Sequence, residues 1–226
     1  MTVRLEEDRA VARLVLDRPE RAHAWLRSMW GESAALVGAL AQRDDIRAIV
    51  LDSTGDRVFS GGADLDEMES LRGDGGALAA LAADAERFSA ALEAAPQVTI
   101  AAMTGSALGA GFLIAAACDV RVLSEEARVG VPAARLGLVL SRPDVARVVR
   151  AAGPALAAEM LLCARVLTAR EALDHGLVSR VEPRGRVRAC VEELAGAVAG
   201  LSARSVSEMK RHLHAVAPHW DDRHGD

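Results

Sequence analysis

The chain reads as an α/β protein, and three observations carry that reading. Short apolar runs of strand character (Ala10–Leu16, Ile46–Asp52 and Gln97–Met103) alternate with longer stretches of helical spacing. Two small-residue turns each lead from such a run into a helix: Phe59–Leu65 (F-S-G-G-A-D-L) and Gly105–Asp119 (G-S-A-L-G-A-G-F-L-I-A-A-A-C-D). Beyond Pro143 the pattern becomes almost wholly helical. An α/β core, residues 1–143, is therefore followed by a C-terminal helical region, 144–226, with a polar tail from about residue 217.

Taken in order, the Ala10–Leu16 strand is closed by the turn Asp17-Arg18-Pro19-Glu20, because proline fixes φ and suits a turn. A helix is expected over Ala24–Gln42 and a buried strand over Ile46–Asp52. The first glycine turn opens a helix over Leu65–Leu71. Gly73–Gly76 breaks the chain before an alanine-rich helix over Ala77–Ala95. After the Gln97–Met103 strand, the second glycine turn opens a helix over Ala110–Ala117, and Val120–Leu123 is a further short strand. The later helices are expected over Asp144–Ala152, Ala155–Leu162, Ala169–His175, Arg186–Ala199 and Ala203–Ala215. Thr168 and Glu171 form a capping-box pair. No long linker separates these helices from the core, so they read as an appendage to it.

Composition narrows the function. The chain has 226 residues, enough for one domain with a substantial core. Aromatics are 3% with no tyrosine, which argues against stacking platforms for single-stranded nucleic acid, and a net charge of −5 argues against a phosphate-backbone binder. Cys118, Cys163 and Cys190 are odd in number and widely spaced, the pattern of a reduced, cytoplasmic protein. The N-terminal residues M-T-V-R-L-E-E-D-R lack the apolar core of an export signal, and the longest apolar run, Phe112–Cys118, is too short to cross a bilayer.

The glycine turns carry the chemistry. Without side chains in the way, their backbone N–H groups are able to point at a ligand oxygen. Two such turns supply a pair of donors for a carbonyl that becomes an oxyanion.

Several segments together resemble the enoyl-CoA hydratase/isomerase (crotonase) superfamily. They are D-R-P-E-R-A-H-A at 17–24, F-S-G-G-A-D-L, A-M-T-G-S-A-L-G-A-G followed by C-D-V-R-V, P-A-A-R-L-G-L, and L-T-A-R-E-A-L-D-H-G-L-V-S-R-V. The likeness spans about residues 11–213. It implies a β-β-α spiral with a C-terminal helical region that serves trimerisation, assembled as homotrimers or dimers of trimers. It also implies acyl-coenzyme A thioesters as ligands, no cofactor beyond the coenzyme A they carry, no metal, and a place in fatty acid metabolism.

By position, the resemblance puts the backbone oxyanion hole at Ala63 and Ala110. Coenzyme A contacts fall to Arg21, Ala22, Ala24 and Gly61. Gly62, Asp64, Leu65, Gly109, Gly111, Leu113, Ala133 and Leu136 complete the substrate-binding set. His23 stands where many relatives have asparagine and reads as a surface turn residue. Asp64 reads as a turn-fixing residue and Asp119 as a local structural tie.

Hydration of an enoyl thioester requires a general acid–base pair around one water, and the family's hydratases use two glutamates. Their positions align here with Leu113 and Ala133. Neither residue carries a proton or orients a water. Asp144 and Glu67 are the best replacement acid/base candidates, although helix capping is the ordinary role for both. Asp66, Arg135, Ser141 and Arg142 are further polar residues in the same two segments.

Two readings stay open. One is an acyl-CoA binder without efficient hydratase activity. The other is an isomerase, decarboxylase or lyase that stabilises a thioester enolate with a substitute acid or base. The rival motifs are weak. G-x-x-x-G-x-G at Gly105, Gly109 and Gly111 is not the dinucleotide spacing, and Ser106 lacks a G-x-S-x-G context. His212, His214, His219 and His224 lack supporting ligands, and Lys210 with Arg211 reads as a solvated helix face.

Overall fold

The computed structural model describes residues 2–216. Its main sheet has six strands: β1 (Val3–Asp8), β2 (Val11–Leu16), β3 (Ala48–Ser53), β5 (Val98–Met103), β7 (Val120–Ser124) and β10 (Arg180–Glu182). They lie in the order β1-β2-β3-β5-β7-β10. Only β1 runs antiparallel, as the outer arm of a hairpin with β2 that turns at Arg9, where φ is 54°. The composition of β1 hid it from sequence reading. V-R-L-E-E-D is an exposed, charged edge strand, which is how natural sheets guard an open edge.

The central strands obey the period of two. Ala48 and Val50 of β3, with Ile100 and Ala102 of β5, face one cluster completed by Val187, Cys190, Val191 and Ala195 of α7 (Val187–Ala199). Ile49 and Leu51, with Ala101 and Met103, face the larger cluster on the other side. Both faces are covered, so β3 is buried at every position.

A second sheet runs in the order β4-β6-β8-β9: β4 (Val58–Ser60), β6 (Ser106–Leu108), β8 (Arg128–Gly130) and β9 (Val166–Thr168). These three-residue strands carry no periodicity long enough to register in the sequence. They decide the site. β3 continues into β4 and β5 into β6, and β4 and β6 pair in parallel with Val58 opposite Ser106 and Ser60 opposite Ala107. The turns that leave these two strands therefore begin side by side.

Most expected helices are present with shifted ends. α1 spans Arg27–Leu40 rather than beginning at Ala24, since Pro19–Arg21 forms a separate 3₁₀ turn and Trp25 pairs with Ala63 as an isolated parallel bridge. α2 (Leu65–Ser70) and α3 (Gly75–Ala94) follow the first turn, and α4 (Ala110–Ala117) follows the second. α5 (Arg142–Leu162) is interrupted at Gly153, with φ 73° and ψ 161° beside Pro154, at the break expected between its two halves. α6 (Ala169–Asp174) opens on the Thr168–Glu171 capping box, and α8 (Ala203–Val216) ends the described chain.

The stretch after Pro143 is less purely helical than its sequence suggests. β9 pairs with β8 and β10 pairs with β7, so this region contributes a strand to each sheet.

Candidate functional site

The two glycine turns meet. Gly62 has φ 109°, and a Cβ placed on it would lie 3.1 Å from Leu108 O and 3.3 Å from Ala110 N. Gly109 has φ 55° and ψ −128°, a conformation for which glycine is the natural residue. A Cβ on Gly109 would come within 3.9 Å of Gly61 O and Gly62 Cα. The chain approaches itself here at backbone distance: at Gly62 a Cβ would crowd the second turn, and at Gly109 the backbone conformation itself favours glycine.

The amide directions follow from the pairing. Trp25 N donates to Gly62 O at 2.8 Å, and Asp64 N donates to Trp25 O at 2.9 Å. These two bonds bracket the Trp25–Ala63 bridge, so in parallel geometry the Ala63 N–H faces away from Trp25. Ala110 is the first residue of α4, where a helix N–H has no intrahelical acceptor. Among the described residues, neither the Ala63 nor the Ala110 N–H donates to a protein acceptor. Both alanines are half-buried beside the exposed Gly61. The positive end of the α4 dipole adds to the second amide, favouring an anion by about 0.3–1 kcal/mol.

The loop at 18–25 is clamped onto the first turn. Gly61 N donates to Ala22 O at 2.8 Å and Ser60 Oγ donates to His23 O at 3.0 Å. Arg18 reaches from the loop to the Asp64 carboxylate at 2.9 Å and donates to Ala24 O at 2.7 Å. Asp64 caps α2 through the Asp66 and Glu67 amides, as a turn-fixing residue should. Burial works to raise the Asp64 carboxyl, but the Glu67 amide and Arg18 outweigh it and hold the group below the usual carboxylate range. Arg21 is exposed and pairs with Asp66 and, at 3.7 Å, with Asp64. Ala22 and His23 both take left-handed backbone, at φ 50° and 51°, and these hydrogen bonds hold them there.

His23 is a correction to the sequence reading: it is buried, not a surface turn residue. Its Nδ1 accepts from Arg18 N at 3.1 Å and its Nε2 donates to Thr54 O at 2.9 Å. A ring nitrogen that accepts a backbone N–H carries no proton, so the imidazole is neutral. Burial, the largest influence, holds its pKa below the ordinary histidine value despite the Thr54 carbonyl and Asp17.

The aligned hydratase positions lie in apolar surroundings. Leu113 is buried in α4 between Phe112 and Ile114, and Ala133, opening the 3₁₀ turn Ala133–Leu136, packs against the same cluster. Leu65 and Leu136 are exposed. Glu67 accepts from Arg27 N at 2.8 Å, closing the start of α1. Asp144 accepts from Ser141 Oγ at 2.7 Å and from Arg147 at 3.2 Å. Both replacement candidates are thus tied into helix starts.

Lys210 departs from the sequence reading as well. It is buried, pairing with Asp119 at 2.8 Å and donating to Leu92 O and Gln97 O. Asp119 also receives Thr99 N at 2.8 Å and His214 at 3.3 Å, the structural tie expected of it. Arg211 is exposed and pairs with Glu208. His219 and His224 lie outside the described residues, among which no group of three or more histidines, cysteines and acids is placed to hold a metal ion. No helix among them is long and apolar enough to cross a membrane.

Sequence reasoning placed the Ala22–Ala24 segment, Gly61–Asp64 and Gly109–Gly111, and the fold brings these together. It missed Arg18 and Ser60. The only available signal was their position directly beside the motifs that were read.

Comparison with known proteins agrees with this fold. Residues 6–221 match the family model for enoyl-CoA hydratase/isomerase. YngF of Bacillus subtilis, named for that family, is 33% identical over 200 residues, covering 88% of this chain and 76% of its own. EchA17 of Mycobacterium tuberculosis, named as an enoyl-CoA hydratase, is 37% identical over 172 residues, covering 76% of this chain but only 64% of its own. Among solved structures, an enoyl-CoA hydratase/carnithine racemase from Magnetospirillum magneticum superposes with a TM-score of 0.92 at 29% identity, over 96% of this chain and 82% of that one. DspI of Pseudomonas aeruginosa gives 0.89 at 29%, over 95% and 86%. The chain belongs to the enoyl-CoA hydratase/isomerase family and has the crotonase fold.

Proposed function

We propose that the protein binds acyl-CoA thioesters through the Ala63 and Ala110 amides and does not hydrate enoyl-CoA efficiently. The carrying observation is the pairing of two donors without protein acceptors, at the contact of two glycine turns, with leucine and alanine at the aligned carboxylate positions. A thioester carbonyl receiving both amides is polarised, and charge developing on its oxygen is stabilised. One such donor is worth about 3 kcal/mol of barrier in a working enzyme. Hydration needs more than polarisation, since a water must lose a proton to a base while the α-carbon gains one. Leu113 and Ala133 supply neither, and Glu67 and Asp144 are engaged in caps. The assembly of the active protein as a homotrimer or dimer of trimers belongs to the same proposal.

The test combines calorimetric titration of butyryl-CoA with the loss of enoyl absorbance from crotonyl-CoA. Binding without loss of absorbance supports the reading. Rapid loss overturns it and turns attention to a substitute acid or base.

A further inference from the structure

A line of hydrogen bonds runs from the loop at 18–25 to the first amide of the candidate hole, and it passes through two side chains that no aligned role covers. Arg18 N donates to His23 Nδ1 at 3.1 Å, and His23 Nε2 donates to Thr54 O at 2.9 Å. The His23 carbonyl accepts from Ser60 Oγ at 3.0 Å, and Ser60 Oγ in turn accepts from Gly62 N at 3.2 Å. Ser60 is fully buried at the end of β4, so its hydroxyl has no water to turn to. Gly62 precedes Ala63. Fixing the Gly62 N–H on one side and the Gly62 carbonyl on Trp25 N on the other leaves the Ala63 peptide little freedom to rotate. The same serine also borders α4, since the space beside Gly111 is filled by Ser60 O, Cβ and Oγ.

We propose that Ser60 and His23 are positioning residues for the oxyanion hole, with neutral His23 shaping the coenzyme A-facing backbone at 22–24 and Ser60 relaying that geometry to the Gly62–Ala63 peptide. This inference rests on the acyl-CoA reading above. The hydroxyl serves as donor to one strand of the relay and acceptor to the other, a pairing alanine lacks and cysteine makes only weakly. Protonating His23 at Nδ1 removes the acceptor for Arg18 N and so loosens the loop. The charged groups bearing on this ring are Asp17 and Glu20 from its own loop and Asp52 from β3, and Asp52 is already paired with Arg13 and Arg188.

The experiment compares butyryl-CoA with S-butyl-CoA, a thioether that lacks the carbonyl oxygen. Their affinity ratio reports the hole alone, because both probes share the coenzyme A portion and the alkyl chain. In the wild-type protein the thioester binds more tightly. In Ser60→Ala the ratio falls about tenfold, the worth of one buried hydrogen bond, while the thioether keeps its affinity. In His23→Asn, whose amide offers one acceptor and one donor without a titrating proton, the ratio persists. The wild-type loss of thioester affinity on acidification, at a pH below the ordinary histidine range, is absent from this variant. Coenzyme A phosphates titrate in both proteins and cancel from the comparison.

If Ser60→Ala weakens both probes equally, or His23→Asn retains the wild-type pH profile, the relay is refuted while the binding reading stands. If wild type binds neither probe, or does not distinguish them, the binding reading itself fails.

Discussion

Ser60 occupies the space that a side chain at residue 111 would need: a Cβ on Gly111 would lie 2.5 Å from the Ser60 carbonyl oxygen. β4 and the first turn of α4 are therefore locked at backbone distance, and the pair sets how closely the two candidate oxyanion donors approach. Gly111→Ala forces that contact apart. It is expected to cost about 1–3 kcal/mol or more by overpacking and to abolish thioester binding, both read by thermal unfolding with and without butyryl-CoA.

Gly62→Ala tests the other side of the junction. The residue must keep φ 109° and bring a methyl to 3.3 Å from Ala110 N. A left-handed non-glycine residue costs about 1–3 kcal/mol. The variant is expected to unfold earlier than wild type and to lose butyryl-CoA affinity even where it remains folded. Retained affinity would place the ligand elsewhere.

Introducing acids at the two aligned positions tests the proposed lack of efficient hydration. Leu113→Glu alone buries a carboxyl in an apolar wall and is expected to destabilise by about 2 kcal/mol or more without yielding a hydratase. Leu113→Glu combined with Ala133→Glu supplies both proton-transfer groups. The double variant is expected to hydrate crotonyl-CoA about 10²-fold faster than wild type, followed by loss of enoyl absorbance.

Arg147 ties α5 to α3. It is buried, bonded to Glu86 at 2.6 and 2.7 Å, to Glu93 at 3.0 Å and to Asp144 at 3.2 Å. Burial works against its charge, but the Glu86 and Glu93 bonds outweigh it and raise its pKa. Arg147→Met leaves three carboxylates without their shared partner. A loss of about 3 kcal/mol is expected by chemical denaturation, at the low end for a broken buried pair because the carboxylates are partly exposed.

The α6 capping box predicts an acid-sensitive step. Glu171 accepts from Thr168 N and Oγ1, and these bonds, with Arg165, lower its pKa from 4.5 to about 2. A depressed carboxyl stabilises the fold above its unfolded value. This contribution is complete above pH 4.5 and declines as pH falls toward about 2. Glu171→Gln is expected to unfold more readily than wild type at neutral pH and to differ less from it in acid, as measured by unfolding curves across that window.

What the sequence disclosed follows the length of each signal. β3 and β5, buried on both faces, announce themselves as continuous apolar runs, and α4 by its glycine start. The three-residue strands of the second sheet offer no pattern, yet β4 and β6 are what set the glycine turns side by side. β1 was hidden because its charges guard an edge. The motif glycines were legible as turns because a close backbone approach demands small residues. His23 and Lys210 were misread because their burial depends on partners far along the chain, Thr54 for one and Asp119 for the other. Ser60 was invisible as a relay, since its two partners are backbone groups that no sequence pattern displays.

The most direct test of a backbone-only thioester site is an isotope-edited infrared difference spectrum of crotonyl-CoA carrying ¹³C at the carbonyl, mixed with excess protein. The account predicts a carbonyl band moved to lower frequency by the Ala63 and Ala110 amides, beside an alkene band that persists. An unmoved carbonyl band, or an alkene band replaced by that of a hydroxyacyl product, would contradict it.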